Sequence, residues 1–281
     1  MEKLPNWNLG ALFKANNEAI NFLNLAEIEV KDFTRTYKTK VKDLTLAEIK
    51  QSIERYERAS EKLGKVGTYA YLLYATNMKD SGVLSFYQST FEKISELSAL
   101  LSFFTLELNL LEEDIAEKTE LKPYTPFLKK NRVFKPYELS SELEAMIIRK
   151  SVTSSDAWVR FYDELLASLQ FNLNGKEANL TQILNTLSSS KAEERKASAK
   201  ELGKVLGKNI KPITFAFNMI IKDKQIEDEY RGFKNPIDSR NLSNFVEKEV
   251  VESLLETVKN NYKEISHKYY KLKAGIFGKE S

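Results

Sequence analysis

The sequence predicts a mainly α-helical protein, an elongated array of helices with one small β-hairpin near residues 171–181. Glycine and proline, which interrupt helices, are scarce: 10 and 6 among 281 residues. Apolar residues recur at steps of three and four in several long segments, which is the helical period. Several of these segments also follow a Ser or Thr placed three residues before a Glu, the spacing of a helix capping box.

The first such capping box is the pair Thr45 and Glu48, which predicts a helix over residues 46–63. Gly64 and Gly67 follow at once. Glycine commonly stands where a helix ends, so we expect these two residues to end or loosen the helix.

Two more helices are predicted before the middle of the chain. Residues 68–78 are short and very apolar, and turn-forming residues at 80–82 separate them from a longer segment. That segment, 83–113, places apolar side chains at helical steps: Phe86, Tyr87, Phe91, Ile94, Leu97, Leu101, Phe104 and Leu108. Its apolar run 94–111 also contains Glu and hydroxyl residues, which favours a buried helix over a membrane span.

A change in composition divides the chain near residue 120. Three of the six prolines lie within residues 121–136, and proline removes a helical hydrogen bond and restricts the residue before it. We therefore predict mostly connection there, with at most a short helix. The predicted organisation is a helical N-terminal region over 1–120 and a second helical region over 121–281.

The second region combines helix starts with a hairpin signal. Helix starts are predicted at the pairs Ser141/Glu144 and Ser190/Glu193 and at Ser155, and another helix over 215–226. Phe171 and Leu173 alternate with asparagines, and Gly175 then allows a turn, which predicts the hairpin.

The last predicted helix has a regular apolar face, which we call the C-terminal stripe. Its members are Val251, Leu254, Val258, Tyr262, Ile265, Tyr269 and Leu272. Gly275 and Gly278 are expected to stop the helix. His267 lies about 200° around the helix from Ile265, so it is expected on the solvated face, together with the lysines of this segment.

Composition excludes more chemistry than it suggests. His267 is the single histidine, and the chain has no cysteine. A zinc site with two imidazoles, a cysteine nucleophile, a disulfide and an iron–sulfur cluster are therefore all excluded. Neither a phosphate-binding glycine loop nor a serine-hydrolase elbow is present. No catalytic, cofactor-binding or metal residue is assigned.

The net charge and the N-terminal sequence argue against nucleic-acid and membrane partners. The net charge of +3 arises from 43 basic and 40 acidic residues, too balanced for a nucleic-acid footprint. The N-terminus lacks an apolar export signal, so a cytoplasmic protein without a membrane segment is expected. Two interpretations of Tyr69, Tyr71 and Tyr74 remain: stacking on a ligand or, more commonly, packing in the core.

Several stretches together suggest a family. They are Trp7-Asn-Leu9, the segment RVFKPYELSSELE from Arg132 to Glu144, Ala157-Trp158-x-x-Phe161-Tyr162-x-x-Leu165, Glu194-Arg195, Arg231-Gly-Phe-x-x-Pro236, Asn244-x-Val246, and Tyr269 to Gly278. In order and spacing they resemble the oligoendopeptidase F–type proteins of the M3 zinc metallopeptidases. The resemblance covers essentially the whole chain, and the hairpin falls where that family has one.

The resemblance implies a helical N-terminal domain and an incomplete first part of the peptidase domain. The family binds zinc through H-E-x-x-H and a later Glu, and this chain has no such motif. The leading hypothesis is therefore a truncated, inactive protein without its own cofactor. One alternative is half of a split peptidase for short peptides, completed by a chain that carries the zinc site and covers the C-terminal stripe. Another is a non-catalytic helical module that binds peptides or a protein.

Overall fold

The computed structural model describes residues 7–279, so part of the N-terminal stretch used to exclude an export signal lies outside the described residues. The mainly α-helical prediction is confirmed. The helices are Asn16–Tyr37 (α1), Leu46–Thr76 (α2), Ser81–Asn109 (α3), Thr125–Arg132 (α4), Ser141–Lys150 (α5), Ser155–Ser168 (α6), Leu180–Thr186 (α7), Ala192–Lys208 (α8), Ile210–Arg231 (α9), Asp238–Ser243 (α10), Lys248–Asn260 (α11) and Lys268–Ile276 (α12). The strands are Phe171–Leu173 (β1) and Lys176–Ala178 (β2).

The chain forms two compact units, one ending at Glu227 and the other beginning at Asp228. The division at residue 120 was argued from proline content and stays a prediction. The prediction that residues 121–136 are mostly connection is wrong, because the 3-10 segments Thr119–Tyr124 and Lys135–Tyr137 flank α4, which is the one short helix expected there. In the part of the chain that the structure describes, no helix is long and apolar enough to cross a bilayer. The cytoplasmic location stays a prediction.

The main core of the first unit lies among α1, α2 and α3. Phe33 of α1 is buried and meets the ring of Phe104 of α3 edge to face, with ring centroids 5.1 Å apart. Tyr56 of α2 contacts the same Phe104 ring at 5.1 Å. Such aromatic pairs add to the free energy gained by burying apolar area. The prediction that α3 is a buried helix is therefore confirmed.

The predicted break at Gly64 and Gly67 is wrong, because α2 runs without interruption from Leu46 to Thr76. Its capping box is confirmed: the Glu48 amide donates to Thr45 Oγ1, and the Thr45 amide donates to Glu48 Oε2. Glycine inside a helix costs only about 1 kcal/mol relative to alanine, which tertiary packing can override. At Gly67 an added Cβ would lie 3.3 Å from Ile94 Cδ1, so the glycine allows close approach of α3.

Two predicted caps are wrong in detail. The cap of α5 is Ser140 rather than Ser141; its Oγ accepts from the Leu143 amide, and Glu144 Oε1 accepts from the Leu139 amide. Ser190 does not cap α8, which begins after Lys191 without a side-chain cap. Consecutive serines make the spacing ambiguous, and only the backbone geometry selects one of them.

The predicted hairpin is confirmed. Strands β1 and β2 are antiparallel, with Phe171 opposite Ala178. Asn174 and Gly175 have φ of 54° and 83°, as a two-residue hairpin turn requires. Phe171 and Ala178 are buried with Leu169 and Ile183, and the side chains of α8 complete this small second core.

The prediction of one long final helix is wrong in the second unit. After α11 ends at Asn260, residues 261–262 form a turn and Lys263–His267 forms a π-helical segment before α12. The apolar residues of the stripe keep their spacing of three and four residues through this interruption. The sequence pattern therefore did not reveal it. Gly275 lies inside α12, whereas Gly278 follows its end with φ of 60°.

Candidate functional site

The described residues do not fit a zinc ion. Within residues 7–279, no three side chains of His, Cys, Asp or Glu lie together in a way that could hold a metal. His267 is exposed on the π-helical segment, which confirms its expected solvated position. We therefore derive no zinc-dependent step for this chain.

The C-terminal stripe is largely solvent-exposed, as expected of an uncovered face. Leu254, Ile265 and Leu272 each retain 65% of their side-chain exposure. Val258, Tyr262 and Tyr269 are also exposed. Such a run of exposed large apolar residues along one segment is typical of interaction surfaces.

The three tyrosines singled out in the sequence have different roles. Tyr69 is a core residue: its ring lies edge-on to Phe13 at 5.4 Å, and its hydroxyl hydrogen-bonds to Asn16 Oδ1 at 3.1 Å. Tyr71 is half exposed and Tyr74 is buried, and both line a cleft. Core packing is therefore correct for Tyr69, while Tyr71 and Tyr74 lie where a ligand could contact them.

This cavity, which we call the tyrosine cleft, has a volume of about 270 Å³. Helices α2, α3 and α6 and the 3-10 turn before α6 supply its walls, all within the first unit. The lining residues are Tyr71, Tyr74, Tyr87, Gln88, Phe91, Glu92, Val152, Asp156, Ala157, Val159, Arg160 and Asp163.

Aromatic rings form one wall of the tyrosine cleft. Tyr74 stacks on Tyr87 with centroids 4.4 Å apart and an angle of 16° between the planes, and Tyr87 contacts Phe91 at 4.5 Å. The Tyr74 hydroxyl is buried and has no hydrogen-bond partner within the described chain. Burial, with added repulsion from Glu164 and Asp163, raises the pKa of Tyr74 to about 12.

Charged side chains of α6 form the opposite wall. Asp156, Arg160 and Asp163 all line the cleft, and burial raises the pKa of the Asp163 carboxyl above its ordinary value. Arg160 Nε lies 3.5 Å from Glu164 Oε1, outside the lining set. Steps of four and three along a predicted helix were visible in the sequence, but nothing there indicated that this face meets the tyrosines. The arrangement can bind a ligand, and it shows no nucleophile paired with a base.

The segment RVFKPYELSSELE has a structural role. The Arg132 guanidinium donates through Nη1 to the carbonyls of Asn109 and Leu111, both at 3.1 Å, and through Nη2 to the carbonyl of Glu112 at 3.0 Å. These carbonyls lie at and just beyond the end of α3, where a helix leaves acceptors unsatisfied and its dipole favours a cation. Arg132 therefore caps the C-terminal end of α3.

Asn109 extends this network toward α5. Its Nδ2 donates to the carbonyl of Asn131 at 3.1 Å and also to Glu138 Oε1. Ser140 and Glu144 of the same segment then cap α5, as described above. The most recognisable segment of the sequence thus joins two helices and exposes no catalytic group.

The second recognisable segment, Ala157 to Leu165, lies on α6. Trp158 packs edge to face against Phe215 of α9 with centroids 5.3 Å apart, and its neighbour Ala157 lines the tyrosine cleft. The tryptophan therefore connects α6 to a later helix, while the adjacent face of α6 is available to a ligand.

The described residues therefore form a mainly helical chain with an exposed apolar stripe. Comparisons with known proteins show what the chain resembles. Residues 104–171 match the family model described as Oligopeptidase F. Oligopeptidase PepF of Bacillus subtilis (strain 168) is 24% identical over 285 residues, which cover 96% of this chain and 42% of that protein. The oligoendopeptidase F homolog of Borreliella burgdorferi is 23% identical, with 98% of this chain and 47% of that protein covered.

A solved structure shows the same fold. The crystal structure of oligoendopeptidase-F from Enterococcus faecium superposes with a TM-score of 0.82 at 19% identity, over 95% of this chain and 54% of that one. Together with the sequence matches, this confirms the resemblance drawn from the motifs: the chain resembles the oligoendopeptidase F–type proteins of peptidase family M3. It spans about half the length of the curated relatives it matches.

Proposed function

We propose that this chain is the N-terminal helical part of an oligoendopeptidase F–type zinc metalloendopeptidase of short peptides, and that alone it cleaves no peptide. The observation that carries the proposal is the likeness along nearly the whole chain to proteins of this kind, combined with a sequence that has one histidine and no H-E-x-x-H. The chemistry then belongs to a zinc-bearing part outside this sequence. The helices of this chain form a wall that restricts access to the peptide site by size.

The exposed C-terminal stripe supports a docked arrangement. Its apolar side chains lie on α11, the turn, the π-helical segment and α12. Covering exposed apolar area contributes roughly 25 cal/mol per Å². The zinc-bearing part, on the same polypeptide or on a separate one, would supply that cover.

The test begins with the purified chain. Metal analysis and an internally quenched oligopeptide assay should show neither bound zinc nor cleavage, and stoichiometric zinc with hydrolysis would overturn the proposal. Sequencing the DNA after the codon for Ser281 then tests for a frame that encodes H-E-x-x-H and a later Glu. Co-expression of that segment with this chain should restore cleavage in the presence of zinc.

A matched pair of variants tests the docking surface in the same assay. Leu254→Glu places a charge on the C-terminal stripe and should abolish restored cleavage. Ser253→Glu places the same charge on the neighbouring exposed residue, off the stripe, and should leave it intact. Equal activity of the two variants would show that the stripe is not the contact surface.

The tyrosine cleft favours a second candidate, a non-catalytic peptide-binding module. The cleft is formed by the first unit alone and needs no zinc-bearing part. Saturable binding of a peptide by the purified chain without turnover, and with no complementary frame in the genome, would support this candidate over a peptidase part.

A further inference from the structure

The tyrosine cleft has an unbalanced negative charge. Glu92, Asp156 and Asp163 contribute three carboxyl groups to its lining, and Arg160 is the one basic residue among the lining set. Arg160 already pairs with Glu164. Glu92 accepts a hydrogen bond from the neutral Gln88 amide, and neither Asp156 nor Asp163 forms an ion pair with any described residue. The cleft is therefore complementary to a cation.

The Tyr74 hydroxyl is a second, independent indication of a ligand. The residue is only 2% exposed, yet its hydroxyl has no hydrogen-bond partner in the described part of the chain. A buried polar group without a partner loses its hydrogen bonds to water without replacement, so such groups are rare unless a ligand or water satisfies them. Tyr74 and Asp163 line the same cavity, so this phenol shares the cleft with a carboxyl group of α6.

The aromatic wall adds an attraction of its own. Tyrosine and phenylalanine rings attract cations through their faces, and Tyr71, Tyr87 and Phe91 all line the same cavity as the carboxylates. The half-exposed Tyr71 leaves part of its ring available at the surface. A carboxylate wall opposite an aromatic wall is suited to a positively charged group at the end of an alkyl chain.

We propose that the tyrosine cleft binds a primary alkylammonium group, the chemistry shared by the lysine side chain of a peptide and a free alkylamine. An ammonium donates three hydrogen bonds, and the aspartates and the Tyr74 hydroxyl are the acceptors available to it. The volume of about 270 Å³ suits one extended side chain better than a larger molecule. This inference goes beyond the proposed peptidase role, since it requires neither zinc nor a second polypeptide.

The experiment is an NMR titration of the full chain labelled with nitrogen-15. The probes are the tripeptide acetyl-Gly-Lys-Gly-amide, the same peptide with its lysine Nε acetylated, and butylamine. We expect saturable shifts at residues of α2, α3 and α6 with the lysine peptide and none with the acetylated one. If butylamine also gives saturable shifts, the cleft accepts free alkylamines as well as peptides. If only the lysine peptide does so, the ligand is a lysine side chain within a peptide.

Variants locate the site. Asp163→Asn removes a carboxylate and should weaken binding roughly tenfold or more, the usual scale for a lost charge-assisted hydrogen bond. Tyr74→Phe removes only the buried hydroxyl and should also weaken it. The matched controls Glu113→Gln and Tyr124→Phe, which lie outside the cleft lining, should bind like the original chain. Far-ultraviolet circular dichroism confirms that each variant folds.

Three results would overturn the inference. One is equal binding of the lysine and acetyl-lysine peptides, because charge would then not matter. Another is an undiminished affinity in folded Asp163→Asn and Tyr74→Phe. The third is the absence of saturable shifts with both amine probes. None of these results depends on cleavage, so a failure here is separate from a failure of the proposed peptidase function.

Discussion

Arg132 donates a hydrogen bond to the backbone carbonyl of Asn109 at 3.1 Å, across 23 residues of sequence. Asn109 is the last residue of α3, and the same guanidinium also binds the two nearby carbonyls of Leu111 and Glu112. Our sequence prediction extended this helix to residue 113. The helix instead ends at Asn109, where a cation distant in sequence binds carbonyls at and just beyond the helix end. Periodicity alone could not reveal that contact.

We expect Arg132→Met to lower the free energy of unfolding by at least about 1.5–3 kcal/mol, the range for hydrogen bonds to a charged group. The methionine keeps apolar length and removes every donor. Urea unfolding followed by circular dichroism measures the loss. Arg149→Met, on the exposed surface of α5, is the control and should change stability by no more than about 0.5 kcal/mol. Similar losses in both variants would contradict the capping role of Arg132.

The two glycines inside α2 should respond differently to alanine. Gly64→Ala places its methyl in open space and should stabilise the chain by about 0.5–1 kcal/mol through helix propensity. Gly67→Ala gains the same propensity, but its Cβ would lie 3.3 Å from Ile94 Cδ1 and must displace that side chain. Gly67→Ala should therefore be less stable than Gly64→Ala in thermal unfolding. If both variants gained the same stability, the packing of α2 against α3 would accommodate a methyl group at Gly67 without strain.

Glu138 should give a pH-dependent effect. Burial is the largest cause that raises the pKa of its carboxyl in the folded state, assisted by Glu144 and opposed by the hydrogen bond from Asn109. The folded state then binds the proton more tightly than the unfolded state does. The stability linked to this group is present below the ordinary glutamate pKa and is lost as pH rises through the raised value.

Glu138→Gln keeps an acceptor oxygen for Asn109 and removes the buried charge. We therefore expect the variant to be at least as stable as the original chain at pH 7. Its advantage should shrink as the pH falls through the raised value toward the ordinary glutamate pKa of about 4.3, below which the original carboxyl is protonated in both states. Chemical unfolding at several pH values measures this difference. If the stability advantage of Glu138→Gln grew on acidification, the pKa of Glu138 would be lowered in the folded state rather than raised.

The hairpin turn offers another matched glycine pair. Gly175 has φ of 83°, where a side chain is strained, so Gly175→Ala should cost about 1–2 kcal/mol. Gly203 lies inside α8 with no atom within 4 Å of an added Cβ, so Gly203→Ala should stabilise instead. Opposite shifts in melting temperature are the expected result. A neutral Gly175→Ala would indicate that the turn can adopt another conformation.

Local sequence signals predicted the elements that depend on nearby residues. The capping box at Thr45 and Glu48, the apolar face of α3 and the turn at Asn174 and Gly175 each involve atoms a few residues apart. Propensity, periodicity and capping act at that range, so they remain readable in a single sequence. The order of short motifs likewise indicated the family that the comparisons support.

Signals of this kind failed where distant segments decide the outcome. Local sequence suggested a helix end at Gly67, because the contact that explains this glycine is with Ile94, 27 residues away. Tyr69 and Tyr74 are the same residue type, but Tyr69 contacts Phe13 and Tyr74 stacks on Tyr87. The face of α6 that carries Asp163 could not be assigned to the tyrosines of α2 and α3 before packing was known.

The sequence by itself determined the helical class, the hairpin and the lack of an H-E-x-x-H zinc motif, because composition and short-range periodicity carry that information. Only the tertiary structure decided that Arg132 caps the end of α3, that the Tyr74 hydroxyl is buried without a partner among the described residues, and that three carboxyl groups line the tyrosine cleft. These features come from side chains on separate helices that meet in space, and packing between helices leaves no local pattern along the chain.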